Sequence, residues 1–253
     1  MHYTVKQRVA RIEAANLAPL LKGSMVGLEK ESLRVNSEGK IAQTPHPAVF
    51  GSALTHPYIT TDYSEALLEF ITPPFHQMNE ALSFLRDLQQ FVYNRLENEV
   101  LWATSMPCVV GGEEGIPIAA YGSSNAGLMK TVYRRGLGYR YGRVMQVIAG
   151  VHMNFSFSEA FWQALQQLEG DDGTLQDYIS DRYFDLVRNL LRVGWLIPYL
   201  FGASPAVCKS FLQGKQSRLE LYDEFTYYEP YATSLRMGDI GYQNNKENEV
   251  GIK

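Results

Sequence analysis

Apolar positions change their spacing several times along the chain, and each change predicts a change of element. Val5, Val9 and Ile12 recur at helical spacing ahead of Pro19, which predicts an amphipathic first helix ended near Gly23 and Ser24. From Met25 to Val35 the period shortens to two. That is a strand, with Gly27, Glu29, Glu31 and Leu33 on one face and Asn36-Ser37-Glu38-Gly39 as the turn that follows. A second strand is predicted over residues 65–72, closed by Pro73-Pro74, with Leu67, Glu69 and Ile71 sharing a face. Met78, Ala81, Leu85, Leu88, Val92 and Leu96 then mark one stripe of a long helix packed on the sheet.

Residues 110–127 are rich in Gly, Ser and Asn and read as a long, functional loop. Over residues 145–157 the alternation returns. Gln146, Ile148, Gly150, His152, Asn154 and Ser156 face one way, and Val147, Ala149, Val151, Met153 and Phe155 the other. The expectation is a strand with its apolar side against helices and its polar side wet. Two more helices are expected over 161–168 and 175–191, and the chain after Gly202 reads as loop. Strands mixed irregularly with helices, with no separating linker, predict an α+β fold with a largely antiparallel sheet and one domain spanning 1–253.

Composition narrows the partners. A content of 45% apolar residues over 253 positions suffices for a sizeable core. The net charge of -4 offers no global attraction to nucleic acid or anionic lipid, so an anionic ligand must be held by local groups. Cys108 and Cys208 lack the close spacing of zinc knuckles or redox dithiols, and buried reduced thiols are expected. The start of the chain has no leader pattern, and Pro198 interrupts the apolar stretch 193–203, so the reading is a soluble, cytoplasmic protein without a membrane partner.

Two clusters carry candidate chemistry. Glu29 and Glu31 on one strand face, Asp62 before a second strand, Glu69 within it and His152 on a third give five potential metal ligands on three neighbouring strands. An oxygen-rich set with a single imidazole suits magnesium, or manganese, rather than zinc. Taken singly, Glu31 and Asp62 read as solvated acids and His152 as a satisfied core histidine. Glu69 resists that reading, because it interrupts the apolar run ALLEFI, where an unpaired buried carboxylate is costly. The second cluster, Lys130, Arg134, Arg135, Arg140 and Arg143, is interleaved with Tyr133, Tyr139 and Tyr141. Guanidinium groups bind phosphate and carboxylate bidentately. A solvated basic face is the plainer alternative, and RNA stacking a third, disfavoured by the acidic chain and the lack of a binding motif.

GLEKESLRVNSEGK, GSALTHPYITTDYSEALLEFITPP, YGSSNAGLMKTVYRRGL, YGRVMQVIAGVHMNFS, WLIPYLFGASPAVCKSFLQGK and PYATSLRMGDIGY together resemble the proteobacterial glutamate–cysteine ligases over most of the chain. The resemblance implies a glutamine-synthetase-like fold, a funnel on a curved antiparallel sheet flanked by helices. It implies ATP-dependent ligation of the L-glutamate γ-carboxylate to L-cysteine through γ-glutamyl phosphate, with Mg2+; the oligomeric state is left open, with a monomer favoured for the intact enzyme. It implies Glu29, Glu31, Asp62, Glu69 and His152 as metal ligands, and Tyr63, Tyr133, Leu137, Gln146, Arg236 and Tyr242 around the cysteine. Arg134, placed to meet phosphate, and Arg236 take catalytic roles, while no cysteine nucleophile is needed. Family members run on well past the equivalent of Lys253. The expectation is therefore an amino-terminal part with an open sheet, which binds metal or amino acid even if it is catalytically incomplete.

Overall fold

The computed structural model describes residues 4–107, 109–202, 205–212 and 217–233, so Cys108, Arg236 and Tyr242 lie outside the described residues. The chain opens with α1 (Val5–Ala14), started by a reciprocal capping box between Thr4 and Gln7. Only Ile12 of its predicted stripe packs inward; Val5 and Val9 are exposed. A short 3-10 turn (Ala18–Gly23) leads into β1 (Met25–Val35), which has the predicted bounds. After it come β2 (Ile59–Thr61), β3 (Leu67–Ile71), α2 (Met78–Tyr93) and β4 (Val100–Leu101). Then follow α3 (Asn125–Tyr141), β5 (Val151–Ser156), α4 (Glu159–Glu169), α5 (Leu175–Val193) and α6 (Leu196–Phe201). A small unit of β6 (Ala206–Cys208), α7 (Lys209–Leu212), β7 (Glu220–Leu221) and β8 (Thr226–Tyr228) completes the described chain.

The main sheet is antiparallel, in the order β2-β3-β1, with β4 and β5 pairing with the far edge of β1. The fold is therefore α+β, as expected. β1 is central because it is long: residues 29–33 pair with β3, 25–30 with β5 and 34–35 with β4. Its even positions face α2, where Leu28, Leu68, Phe70 and Ile59 pack with Ala81, Leu85 and Val92. On the other face, Leu33 and Leu67 anchor a second core with Val35, Tyr63, Ile116, Val144, Val147 and Val207. The same face thus passes from core at Leu33 to carboxylates at Glu31 and Glu29.

Three expectations need correction. Residues 144–147 form a 3-10 turn, so β5 starts only at Val151, and α3, capped by Ser124, begins inside the expected 110–127 loop. The apolar side of β5 is not covered by helices among the described residues: Val151, Met153 and Phe155 are exposed, while α2 packs on β1 and β3. The stretch after Gly202 contains the small sheet β6-β8-β7. Cys208 is a half-buried free thiol that accepts a hydrogen bond from Ser210. No helix among the described residues is long and apolar enough to cross a membrane.

Gly127 in the first turn of α3 allows a close approach of two backbones. A Cβ there would meet the carbonyl oxygen and carbon of Tyr121, atoms that cannot swing aside. Gly→Ala inside a helix ordinarily stabilises by about 1 kcal/mol. At Gly127 the sign is expected to reverse, with Gly127→Ala lowering stability by about 1–3 kcal/mol, checked by urea unfolding.

Candidate active site

The candidate site is a row of acidic side chains read directly from strand register. Glu31 lies opposite Glu69 across β1 and β3, and Glu29 lies opposite His152 across β1 and β5. Glu29 and Glu31 share a face because they are two residues apart in an extended strand. His152 Nδ1 is 3.1 Å from Glu29 Oε2, and Asn154 Nδ2 donates to Glu29 Oε1 at 2.8 Å. Glu31 Oε2 accepts the Gly150 N–H at 2.7 Å. Glu31 therefore fastens the segment leading into β5, while Glu29 fastens β5 itself.

Charge accumulates at Glu69. Burial, reinforced by the negative charges of Asp62, Glu31 and Glu29, pushes its carboxyl up to about 7. Burial also raises Asp62, against the opposing pull of Arg134. The hydrogen bond to Glu29 raises His152, which favours imidazolium beside the acids. Glu65 makes a useful contrast four residues away. Its buried carboxylate accepts the N–H groups of His46 at 2.8 Å and Ala120 at 2.7 Å, which satisfies it as a structural anchor. Glu69 sits instead in a field of like charge, an arrangement that costs stability and that folded chains retain for function.

α3 brings cations to the same place. Arg134 Nε donates to the Asp62 carbonyl at 2.5 Å, and its guanidinium lies 4.7 Å from the centre of the Tyr121 ring. Lys130, one helical turn earlier, lies 5.0 Å from the same ring. The Tyr121 hydroxyl donates to the Thr61 carbonyl at 2.6 Å, so this one residue ties the end of β2 to the cationic face of α3. The remaining basic residues do other work. Arg143 binds the 113–116 turn through Glu113 and Ile116, Arg140 lies over Tyr141, and Arg135 is exposed.

The residues expected around an amino-acid substrate are partly gathered. Tyr63 is buried beneath α3, and a Cβ at Gly138 would meet its hydroxyl. Leu137 packs against the same core cluster. The Tyr63 hydroxyl and Gln146 Nε2 are both buried without a hydrogen-bond partner. Such orphans are rare unless a ligand or water answers them. Tyr133 is exposed, so nothing in the described chain fixes its ring.

The donor set suits a hard cation, since it is carboxylate-rich with one imidazole, and Glu69 is held in a charge field that a cation would relieve. Among the described residues, no three His, Cys, Asp or Glu side chains converge closely enough to enclose an ion. The partnering explains this: Glu29 is engaged by His152 and Asn154, and Glu31 by Gly150. Asn154, the Gly150 N–H and Tyr121 are participants that the sequence reading did not select. Asn154 shares the period-two face of His152 and was open to discovery there, whereas Tyr121 left no such signal.

An antiparallel sheet that aligns acids on one open face, under a helix that supplies guanidinium and ammonium groups, defines a class of protein equipped for several anionic groups at once. The glutamate–cysteine ligase sequence profile matches residues 9–253, and the chain belongs to that family. It is 57% identical over 248 residues to a glutamate–cysteine ligase of Alcanivorax borkumensis, covering 98% of this chain and 47% of that protein. It is 54% identical over 243 residues to one from Pseudomonas aeruginosa strain PAO1, covering 96% of this chain and 46% of the relative. Among solved structures, it resembles the glutamate–cysteine ligase of Francisella tularensis in complex with AMP, with TM-score 0.79 and 41% identity over 86% of this chain and 43% of that one. It also resembles a bifunctional glutathione synthetase from Pasteurella multocida, with TM-score 0.76 and 32% identity over 94% of this chain and 29% of that one. The chain spans about half the length of the curated relatives it matches.

Proposed function

We propose that this chain forms the metal- and cysteine-binding part of an ATP-dependent glutamate–cysteine ligase. The observation that carries the reading is the row Glu69, Glu31, Glu29 and His152 on one sheet face, with Arg134 anchored on Asp62 beside it. Family membership and the AMP bound to the Francisella relative support nucleotide use.

Magnesium, or manganese, held by Glu29, Glu31, Asp62, Glu69 and His152 would screen the phosphoryl oxygens of ATP. The chain's own groups have separate tasks. Arg134, fixed through its Nε to the Asp62 carbonyl and through Nη1 to the Lys130 carbonyl, would offer Nη2 to an equatorial phosphate oxygen. The orphaned Tyr63 hydroxyl and Gln146 amide supply polar contacts that would orient cysteine toward the glutamyl carbonyl, with Leu137 as an apolar wall and Tyr133 and Tyr242 completing the pocket. Arg236 would meet negative charge on the tetrahedral intermediate. Attack by the cysteine amine on an acyl phosphate requires no enzyme nucleophile, so Cys108 and Cys208 take no part.

The test is phosphate release from ATP and magnesium, measured for this chain alone and mixed with a polypeptide matching the remaining half of the relatives. Release that requires both glutamate and cysteine is expected in the mixture. Release independent of either amino acid, or none in the mixture, overturns the reading. The exposed apolar face of β5, together with Trp195 and, on α6, Ile197, Leu200 and Phe201, favours a second reading in which the chain alone binds without turning over. In that case calorimetry should detect magnesium or glutamate binding by the chain alone without phosphate release.

A further inference from the structure

α5 is longer than the helix it packs on, and its apolar stripe runs on past the contact. α4 has 11 residues and α5 has 19, which at ~1.5 Å per residue leaves about 12 Å of α5 beyond the length of α4. In its first half, Leu175, Tyr178, Ile179 and Tyr183 share one cluster with Phe161, Trp162 and Leu165 of α4. The same helical spacing continues through Leu186, Val187, Leu190 and Val193, all of them exposed. Past Gly194 the chain adds Trp195 and, on α6, the exposed side chains of Ile197, Tyr199, Leu200 and Phe201. A file of rings joins this surface to β5. Phe155 lies 4.9 Å from Phe157, Phe157 5.2 Å from Trp162, and Trp162 5.2 Å from Tyr183, where α5 loses its cover. Val151, Met153 and Phe155 are exposed on that strand, and among the described residues no strand pairs with its outer edge.

The size of the face says what kind of occupant it fits. Phe184, Trp195, Tyr199 and Phe201 are 61–79% exposed, and at ~150–250 Å² per aromatic side chain they alone show roughly 500 Å². That already matches the ~300–600 Å² of the largest apolar patch on a typical monomer, and the aliphatic residues around them carry it toward the ~800 Å² that each side of a stable interface buries. The occupant is therefore a folded polypeptide rather than a small molecule. The relatives contain one. The Alcanivorax and Pseudomonas ligases match 98% and 96% of this chain with only 47% and 46% of their own length, so about half of each has no counterpart here. A second copy fits less well. Pairing β5 with its own copy would continue the sheet into a second row of Glu29, Glu31 and Glu69, like charge beside like charge on one face.

We infer that the second half of α5, α6 and the open edge of β5 form the docking surface for a polypeptide equivalent to the unmatched half of these relatives. The inference rests on reading the chain as one part of a ligase, and complex formation tests it apart from turnover. The unmatched half of the Alcanivorax relative can be co-expressed with the full 253-residue chain and isolated through a tag on the relative's half. A one-to-one complex is expected, with amide exchange over residues 184–201 about tenfold slower than in the chain alone. Trp195 should be shielded from acrylamide quenching in the complex. Leu191 and Phe201 are 82% and 79% exposed, so the double variant Leu191→Glu, Phe201→Glu should keep the melting temperature of the chain. It should weaken the complex about tenfold or more. Val5→Glu, at an apolar residue of α1 that is 80% exposed, should leave the complex intact. A complex that forms without phosphate release supports the docking surface and counts against the ligase reading. No complex, a complex indifferent to the double variant, or exchange over residues 184–201 that slows as the chain alone is concentrated, the mark of a second copy on the face, overturns the inference.

Discussion

Replacing Arg34 with Met is expected to remove about 3–5 kcal/mol of stability, the cost of breaking a buried ion pair. That is a large share of the ~5–15 kcal/mol that holds a typical folded chain together. Arg34 is fully buried and joins three distant segments. It pairs with Glu99 at 2.6 Å and donates to the Thr44 hydroxyl at 2.6 Å, and to the carbonyls of Thr44 at 2.9 Å, Pro45 at 3.2 Å and Glu65 at 3.1 Å. Met would fill much of the volume but leave Glu99, which is only 14% exposed, facing its vacated partner, and would orphan three carbonyls. Urea unfolding should show the midpoint fall with little change in slope. The double variant Arg34→Met, Glu99→Leu should recover part of the loss, since it removes the abandoned charge. If the two single losses simply add, the ion pair is not the cause. The consequence reaches the site, because Glu65 links this network to Ala120, and Ala120 adjoins the Tyr121 that steadies Asp62 and Arg134.

Arg34 also shows what the sequence leaves hidden. As one basic residue in a strand it reads as solvated, and only the return of residues 44, 65 and 99 to one point makes it an anchor. By contrast, β1 and α2 were legible to within a few residues because each has one buried face, and burial imposes a strict period. α3 was not legible as a helix. Its apolar residues Leu128, Met129 and Val132 are exposed and only Gly127 is buried, so no inward stripe marks it. The strands of the small sheet are two or three residues long, too short for any alternation to register.

The candidate site divides in the same way. Glu29, Glu31, Glu69 and His152 stand at alternate positions of strands whose pairing places them side by side, so period two was enough to select them. Asp62 and Arg134 meet through a backbone carbonyl, and Tyr121 works by stacking and by its hydroxyl. Those links depend on where loops return in space, which residue spacing does not encode. The roles assigned to Arg236 and Tyr242 fall outside the described residues and rest on the family resemblance alone.

In metal-free buffer the chain is expected to become less stable as pH rises from about 4.5 to about 7, with Glu69 as the main cause. The unfolded chain releases the Glu69 proton near the usual 4.5, whereas the folded chain holds it up to about 7. Between those values the folded state binds more protons than the unfolded one, so raising the pH favours unfolding, and the loss levels off above 7. Asp62, raised by burial, acts with the same sign from its usual 3.8 upward. His152, raised mainly by Glu29, contributes stability below 6.5 that disappears as pH passes its folded value. Glu69 is half-buried, so solvent screening reduces its share to about 1–2 kcal/mol. Glu69→Gln should therefore be more stable than the parent chain at pH 8 by about that amount and equal to it near pH 4, with a flatter profile between. Magnesium should raise the parent's melting temperature at pH 8 and leave that of Glu69→Gln nearly unchanged, because binding to the folded state adds stability only where the ligand set is intact. A solvated strand carboxylate would give neither the gain nor the magnesium dependence, so an unchanged profile in Glu69→Gln would remove Glu69 from the site.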